Sequence, residues 1–513
     1  MKGESKKNEL TIPGILFIFS LLILSFNLSE QGPHQDEVDF YYSYSIVYFD
    51  LIKDVDFFHP CWNGNGDCER LSLDSCDRIE HWITTQGFVK HLLVGTGVLL
   101  HGDDNPNSYS PESPLCKPHN DPISGENIPT KDELSAARFF SPILGSLTVV
   151  LSYLIGKFLF SRTTGIIFSV LLLFNALWFA YSRTITAEPY LYFFMMLSFF
   201  LLLYSFRKKE KVGYTLLVLS GIVFAIAFNT KAIVFMILPV FILTIFLRNS
   251  IDEKLTKVEF RKVHISKSII ISILFVMIIM VSIIGTFPFY WIGPFEQIEL
   301  QRQSLNSYNS DFTISFPWNV DSKFYVGFLS TITVTFAPII DTYYENFTPN
   351  DIPSSVESAN NFSSIPLSIL FSTGIGFLIY NIKIRKITGS ELLVLFWAGS
   401  IFILLSLMVE SYSTSRFFIM MFLPMLLIGA YGYHKFFISI KNIKLKIFSF
   451  ILTILAHAIT TFVYWEKIFY KPDIMWLEPL FIKSQEAITQ PEVILLGTIF
   501  SIFFVIYGIK RLK

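Results

Sequence analysis

The sequence predicts an all-α polytopic membrane protein with about twelve transmembrane helices. Of its 513 residues, 52% are hydrophobic and only 16% are charged, whereas soluble proteins carry roughly 25% charged residues. Apolar runs long enough to cross a bilayer, about 17–25 residues each, recur along the chain. Lys and Arg collect in every second connection between these runs, as they do in loops on the cytoplasmic side of a membrane.

The charge balance limits the class of function. The 40 Lys and Arg residues nearly cancel the 41 Asp and Glu residues, which leaves a net charge of −1. No excess of basic groups remains to follow a phosphate backbone, so no nucleic-acid partner is predicted. The high apolar content excludes a water-soluble enzyme and makes membrane lipids the surroundings of most of the chain.

Twelve apolar runs are predicted to be transmembrane helices. The first run is long, and no small-residue cleavage site follows it, so it is interpreted as a retained span and not a signal peptide. A further run, 324–339, is short and rich in hydroxyl groups, and it is interpreted as a re-entrant or interfacial helix. The twelve spans are residues 11–28, 135–160, 164–181, 188–206, 212–228, 232–247, 266–286, 365–382, 392–409, 416–433, 447–464 and 493–507.

The basic residues predict the orientation of the chain. The clusters in alternate connections hold 25 of the 40 Lys and Arg residues, and both termini belong to that set. Both termini are therefore predicted to be cytoplasmic in a multi-pass membrane protein of the cell membrane, or of the endoplasmic reticulum if the source is eukaryotic. The large connections 29–134, 287–364 and 465–490 are then extracytoplasmic, and the first of them is expected to carry juxtamembrane helices.

All four cysteines, Cys61, Cys68, Cys76 and Cys116, lie in the first extracytoplasmic loop. An even number confined to one non-cytoplasmic loop predicts one or two disulfides, with three pairings open if all four take part. Free thiols remain the alternative, as does a metal site if the topology were inverted. The histidines of this loop lack the spacing of a ligand set, so no metal site is predicted.

Ionisable groups at the extracytoplasmic ends of spans are the candidate functional residues, because charged groups there cost free energy. Two carboxylates follow the first span, and further charged residues begin or join later spans. A carboxylate can act as general base on an acceptor hydroxyl while cations hold a departing phosphate, which fits group transfer from a lipid phosphate carrier. The alternative is that the acids cap a helix and the arginines anchor to headgroups. The set is Asp36, Glu37, Arg138, Arg183, Glu188, Lys231 and Arg416.

These residues resemble motifs of the C-type membrane glycosyltransferases, the superfamily of dolichyl-phosphate-mannose protein mannosyltransferases and aminoarabinose transferases. Asp36-Glu37, with Tyr41 after it, is similar to the Asp-Glu motif of the first extracytoplasmic loop in that superfamily. Further similar stretches are residues 88–103, which include Lys90, the Arg-led helix from Arg138, the Ser182-Arg183 turn with Glu188, the Asn229-Thr-Lys231 elbow, and Arg416 to Pro424. Their order and their side of the membrane agree with the superfamily.

The resemblance implies an inverting glycosyltransferase that takes a hexosyl or pentosyl group from a polyprenyl-phosphate carrier on the extracytoplasmic face. Asp36 would be the general base, and Glu37 would position the acceptor. Arg138 and Arg183 would contact the carrier phosphate. Lys231 and Arg416 would be further phosphate partners, Glu188 would orient Arg183 or face a cation, and Tyr41 and Lys90 would support the site.

The resemblance also implies two modules. Residues 1–250 would form the catalytic transmembrane module, including the loop 29–134, and residues 251–513 a C-terminal transmembrane module. Thr85 to Phe88 replaces the His-Pro-Pro that many relatives carry, and the cysteine-bearing insert from Asp54 to Glu80 is additional. The acceptor is therefore left open as protein, lipid or glycan.

Two other classes of function remain open from the sequence. A polytopic secondary transporter would show an internal repeat and ionisable groups near the membrane midplane, and neither is evident. A polymerase or ligase of lipid-linked glycans would use similar arginines without the Asp-Glu pair. No cofactor is required by the motifs, and a divalent cation is left open.

Overall fold

A computed structural model describes residues 7–29, 42–59, 62, 89–101, 131–252, 265–291, 365–408 and 419–439, with a few positions between 295 and 299 and between 442 and 455. All regular secondary structure in these ranges is helical, as the composition predicts. Two 3₁₀ helices, Ala232–Ile237 and Pro288–Trp291, accompany the α-helices. The α-helices are α1 Lys7–Ser25, α2 Tyr42–Lys53, α3 Val89–Leu100, α4 Lys131–Ala137, α5 Phe140–Leu159, α6 Arg162–Leu173, α7 Ala176–Tyr181, α8 Ala187–Ser205, α9 Glu210–Phe228, α10 Leu238–Asp252, α11 Ile265–Thr286, α12 Ile365–Lys383, α13 Gly389–Met408 and α14 Ile419–Ser439.

Five helical stretches within the described ranges are long and apolar enough to cross a membrane. Shorter apolar helices, such as α1 and α13, lie among them. The predicted spans 493–507 and most of 447–464, and the segment 324–339, lie outside the described residues. The number of twelve spans thus stays a prediction. The five stretches are Lys131–Leu159, Ala187–Ser205, Lys211–Phe228, Ser266–Thr286 and Ile419–Ile438.

The long helices contact one another in a closed order. Helix α5 packs on α8, then α8 on α9, α9 on α11, α11 on α10, α10 on α13, α13 on α14, α14 on α6, and α6 on α5 again. Aromatic rings join facing helices: the Phe199 ring centroid lies 5.4 Å from that of Phe241 and 5.1 Å from that of Trp397. Helices α1 and α12 pack outside this order, on α5 and α14.

Small and hydroxylated residues set the closest helix contacts. Between α8 and α9, the Ser198 hydroxyl donates to the Ser220 carbonyl at 2.7 Å, and the Ser220 hydroxyl donates to the Ser198 carbonyl at 2.8 Å. Between α12 and α14, a Cβ atom on Gly432 would collide with the backbone of Gly374, so only glycine permits this approach. Small residues and interhelical hydrogen bonds are the usual means of association between membrane helices.

The predicted span 164–181 is not one continuous helix, which corrects that prediction. Helix α6 ends at Leu173, and Asn175 begins α7 by accepting a hydrogen bond from the Trp178 amide at 3.0 Å through its side-chain oxygen. An Asn side chain in this N-cap role satisfies a first-turn amide of a new helix, so a second helix begins although the apolar run continues.

The two ends of the helix bundle carry different polar groups. We call the end with Leu28 and Arg183 the Arg183 end, and the opposite end, with Glu391, the Glu391 end. At the Glu391 end, Thr388 and Glu391 form a capping box at the start of α13: the Thr388 amide donates to Oε2 of Glu391 at 2.8 Å, and the Glu391 amide donates to the Thr388 hydroxyl at 3.2 Å. Oε1 accepts from the Tyr431 hydroxyl and from the Asn381 side chain, which ties α12, α13 and α14 together.

Candidate functional site

Arg183 lies in the turn between α7 and α8, and its side chain is fully buried. Its guanidinium donates to backbone carbonyls at the end of α1: Nη1 reaches the oxygens of Leu24 at 3.0 Å and Ile23 at 3.4 Å, and Nη2 reaches that of Asn27 at 3.3 Å. The guanidinium carbon also lies 5.1 Å from the centroid of the Phe179 ring. Arg183 therefore joins the α7–α8 turn to the end of the first helix.

Arg138 lies at the junction of α4 and α5 and is also buried. Its Nη1 donates to the carbonyl oxygen of Leu28 at 3.4 Å. Two arginines from different helix junctions thus meet the same short stretch of chain, in which Asn27 takes a left-handed backbone conformation with a φ of 54°. Asn is one of the few residues other than glycine that adopt this conformation readily.

Glu188 and Lys231 form a buried ion pair across α8 and the elbow that follows α9. Nζ of Lys231 lies 2.9 Å from Oε1 of Glu188, and the two side chains are 8% and 2% exposed. The elbow itself is held by Asn229, whose side-chain nitrogen donates to the Ile283 carbonyl at 3.1 Å and to the Thr286 hydroxyl at 2.8 Å at the end of α11. Glu188 thus faces a cation, and that cation is Lys231.

Other polar groups surround the start of α8. The Tyr190 hydroxyl and the Ser141 hydroxyl share a hydrogen bond of 3.0 Å, which links α8 to the start of α5. The buried Tyr192 lies near Glu188 on the same helix and near Met420 at the start of α14. The Arg183 end therefore brings together parts of α1, α5, α8, α14 and the elbow after α9.

Beside this end, helix α2 packs on α3, and α3 packs on α4. Lys90 on α3 is buried, and its neighbour His91 shares a hydrogen bond of 2.9 Å between Nδ1 and the Ser45 hydroxyl on α2. The Tyr48 ring stacks on Trp62 with centroids 4.8 Å apart. Short helices in the first predicted loop are thus present in its described part, and Lys90 lies in their packed core.

Several predicted site residues fall outside the described part of the chain. Their structural surroundings are left to prediction, as are the disulfide pairings. Among the described residues, no group of three or more His, Cys, Asp and Glu side chains converges as a metal site. The predicted residues outside the description are Asp36, Glu37, Tyr41, Arg416, Cys61, Cys68, Cys76 and Cys116.

The described arrangement suits an anionic group. Three buried cations, Arg138, Arg183 and Lys231, gather at one end of the bundle with the carboxylate of Glu188. Hydrogen bonds to the backbone carbonyls of Ile23, Leu24, Asn27 and Leu28 orient the two guanidinium groups. Arginine clusters of this kind bind phosphates and stabilise charge that develops on a leaving group.

The sequence profile of the family described as dolichyl-phosphate-mannose-protein mannosyltransferase matches residues 117–302. The resemblance to this glycosyltransferase superfamily is confirmed. The matched segment contains Arg138, Arg183, Glu188 and Lys231, and it excludes Asp36, Glu37 and Arg416. No curated protein sequence matches the chain.

Comparison with solved structures gives matches at low sequence identity, one of them with a TM-score above 0.5. The oligosaccharyltransferase of Archaeoglobus fulgidus in its apo form aligns with a TM-score of 0.51 and 13% identity over 95% of this chain and 59% of its own. The oligosaccharyltransferase AglB from Archaeoglobus fulgidus, in complex with an inhibitory peptide and a dolichol-phosphate, aligns with a TM-score of 0.47 and 14% identity over 97% of this chain and 60% of its own. ArnT from Cupriavidus metallidurans bound to undecaprenyl phosphate aligns with a TM-score of 0.43 and 14% identity over 97% of this chain and 76% of its own. The chain thus spans about three fifths of the archaeal structures.

Proposed function

We propose that the chain is an inverting glycosyltransferase that moves a sugar from a polyprenyl-phosphate carrier to an acceptor on the extracytoplasmic side. The observation that carries this proposal is the set of buried cations at the Arg183 end, inside the segment that matches the mannosyltransferase family. AglB and ArnT have been solved with dolichol-phosphate and undecaprenyl phosphate, which is consistent with a carrier of this class for the present chain.

The charge of the Arg183 end favours a phosphate as ligand. Three cationic side chains, those of Arg138, Arg183 and Lys231, lie buried at this end, and Lys231 is paired with Glu188. Burying cations beside a membrane costs free energy, and a bound phosphate recovers part of that cost through charge-assisted hydrogen bonds. Lys231 and Arg416 would complete the phosphate contacts predicted from the sequence.

Apolar side chains beside the cations suit the hydrocarbon tail of the carrier. Phe26, directly after α1, is 69% exposed, and Phe139, next to Arg138, is 50% exposed. Along α1, Ile15, Ile18 and Leu22 are exposed as well, so an apolar surface continues from the cations along the helix. A carrier could place its phosphate at the Arg183 end and its tail along such a surface.

The reaction would proceed by direct displacement at the anomeric carbon. Asp36 accepts the proton of the acceptor hydroxyl, and the acceptor oxygen forms a bond to that carbon as the bond from carbon to phosphate oxygen breaks. The phosphate oxygen leaves with the electron pair, and its negative charge is stabilised by the cations. Glu37 positions the acceptor, Tyr41 and Lys90 support the loop, and the products are glycosylated acceptor and polyprenyl phosphate.

The test is transfer of labelled sugar by the full chain in reconstituted membranes. A panel of labelled polyprenyl-phosphate sugars is supplied, and the label is followed into protein, lipid and glycan. Asp36→Asn is expected to abolish transfer, whereas Asp132→Asn, at an exposed aspartate of α4, keeps it as the matched control. Near-normal transfer by Asp36→Asn contradicts the assignment of the base. No transfer from any donor, with solute uptake into vesicles, favours a transporter.

A further inference from the structure

The end of α1 is held from two directions by arginines. Arg183 donates to the carbonyls of Ile23, Leu24 and Asn27, and Arg138 donates to that of Leu28. Both side chains are at most 1% exposed, so the contacts are shielded from water. These bonds involve backbone atoms of one continuous stretch, which begins in the last turn of α1.

Helix ends provide the physical reason for these contacts. The last four carbonyls of an α-helix have no partner within the helix, and the aligned peptide dipoles place negative charge at that end. A cation that donates to those carbonyls satisfies them and is attracted by the dipole. Arginine is suited to several acceptors at once, because its planar group presents five donors in a fixed geometry.

Close packing beside Arg183 further restricts the position of the end of α1. A Cβ atom on Gly145 of α5 would lie 2.8 Å from Cβ of Ser182 and 3.1 Å from Cδ1 of Leu24. Helix α1, helix α5 and the turn that carries Arg183 therefore meet at a point where only glycine fits. Any displacement of the turn changes the acceptors of Arg183.

We propose that Arg183, assisted by Arg138, is a positioning residue that fixes the end of α1 and thereby the start of the segment that carries the Asp36-Glu37 motif. This inference rests on the proposed function and deepens it. Asp36 follows Leu28 by eight residues, which span at most about 29 Å when fully extended. Fixing Leu28 therefore fixes the point from which the segment that carries the base begins, and this point lies beside Arg138 and Arg183. Arg183 then has two roles. Its positive charge stabilises the phosphate, and its hydrogen bonds fix the end of α1, from which the segment with the base begins.

Arg183→Lys separates these two contributions. Lysine keeps the positive charge but cannot serve three carbonyls in one plane. We expect kcat to fall about 10- to 100-fold, as a misplacement of about 1 Å can cause, while the affinity for a polyprenyl-phosphate donor stays within about twofold. Hydrogen exchange of peptides covering residues 23–29 is expected to rise in the same variant.

Arg207 provides the matched control at the opposite end of the bundle. Its Nη2 donates to the Phe158 carbonyl at 3.4 Å near the end of α5, and its guanidinium lies 3.6 Å from the centroid of the Phe158 ring. Arg207→Lys therefore removes the same kind of contact away from the site. We expect it to leave kcat, donor affinity and exchange at residues 23–29 unchanged.

A second variant disturbs the same contact without touching a charge. Gly145→Ala pushes on Ser182 and Leu24, and it is expected to lower kcat with unchanged donor affinity, as Arg183→Lys does. If Arg183→Lys does not reach the membrane folded, Gly145→Ala decides the question. The proposal is overturned if exchange at residues 23–29 is unchanged in the folded variant, or if donor affinity falls while kcat stays at the wild-type value.

The failure of the proposed function is distinguishable from the failure of this inference. If wild-type protein transfers no sugar from any donor, the glycosyltransferase proposal is wrong. Hydrogen exchange at residues 23–29 still reports whether Arg183 holds the end of α1, because that measurement does not depend on turnover.

Discussion

Removing Lys231 is expected to destabilise the protein more than removing both members of its ion pair. Nζ of Lys231 lies 2.9 Å from Oε1 of Glu188 with both side chains almost fully buried. At that distance the attraction is about 6 kcal/mol for an effective dielectric constant of 20, before the cost of desolvation. Loss of one partner leaves the other charge buried, which costs about 3–5 kcal/mol.

The series consists of Lys231→Met, Glu188→Gln and the double variant. Lys231→Met is expected to lower the free energy of unfolding by about 3–5 kcal/mol, and the double variant by clearly less, because replacing both charges removes the desolvation cost as well. Unfolding is measured in mixed micelles with increasing SDS by circular dichroism. If the two single changes add in the double variant, the residues are not coupled and the reasoning is refuted.

Sugar transfer measured in the same three variants separates a role of the ion pair in the reaction from a role in stability. Lys231 is a proposed phosphate partner, so sugar transfer is expected to fall in Lys231→Met and to stay low in the double variant even though its stability recovers. A double variant that regains both stability and transfer would show that the pair serves only the fold.

Three further predictions concern the helix contacts, with the same unfolding assay as the measurement. The double variant Ser198→Ala/Ser220→Ala is expected to lower stability by about 0.5–2 kcal/mol with measurable coupling between the two sites; strict additivity contradicts the reciprocal hydrogen bonds. Glu391→Gln is expected to cost about 1–3 kcal/mol, because a charged acceptor of several hydrogen bonds is lost, with donor affinity unchanged; unaltered stability contradicts the network at the Glu391 end. Gly432→Ala forces α12 and α14 apart at backbone contacts and is expected to cost about 1–3 kcal/mol; a variant as stable as wild type contradicts that close approach.

Hydropathy was sufficient to locate several helices closely. The predicted runs 188–206 and 266–286 agree with α8, Ala187–Ser205, and α11, Ile265–Thr286, to within one residue at each end. Long apolar segments bounded by charged or polar residues define their own ends, because the cost of placing a charge in the bilayer is high. The superfamily resemblance, carried by short motifs in the right order, is confirmed over residues 117–302.

The break at Asn175 and the network around Glu391 were not predicted. The apolar run continues across Asn175, so hydropathy alone does not register a side chain that caps a new helix. Thr388 and Glu391 carry the spacing of a capping box, which was a usable signal for the start of α13. The contribution of Tyr431, 40 residues further along, depends on helix packing and has no local signal.

The sequence predicted which residues belong to the site, but it did not predict which of them contact one another. The topology gathers Arg183, Glu188 and Lys231 at one end, but the pairing of Glu188 with Lys231 depends on how α8 meets the elbow after α9. The acceptors of Arg183 are backbone carbonyls, which are present at every residue and leave no trace in a sequence. Its role at the end of α1 therefore emerges only from the fold.

The most direct measurement of the central claim is single-turnover transfer from a labelled polyprenyl-phosphate sugar by the wild-type chain and by Asp36→Asn in the same membranes. The proposed function predicts transfer by the wild type and none by the variant, with both proteins binding the donor with similar affinity. Equal transfer by the two proteins, or donor binding without transfer by the wild type under every acceptor, would contradict it.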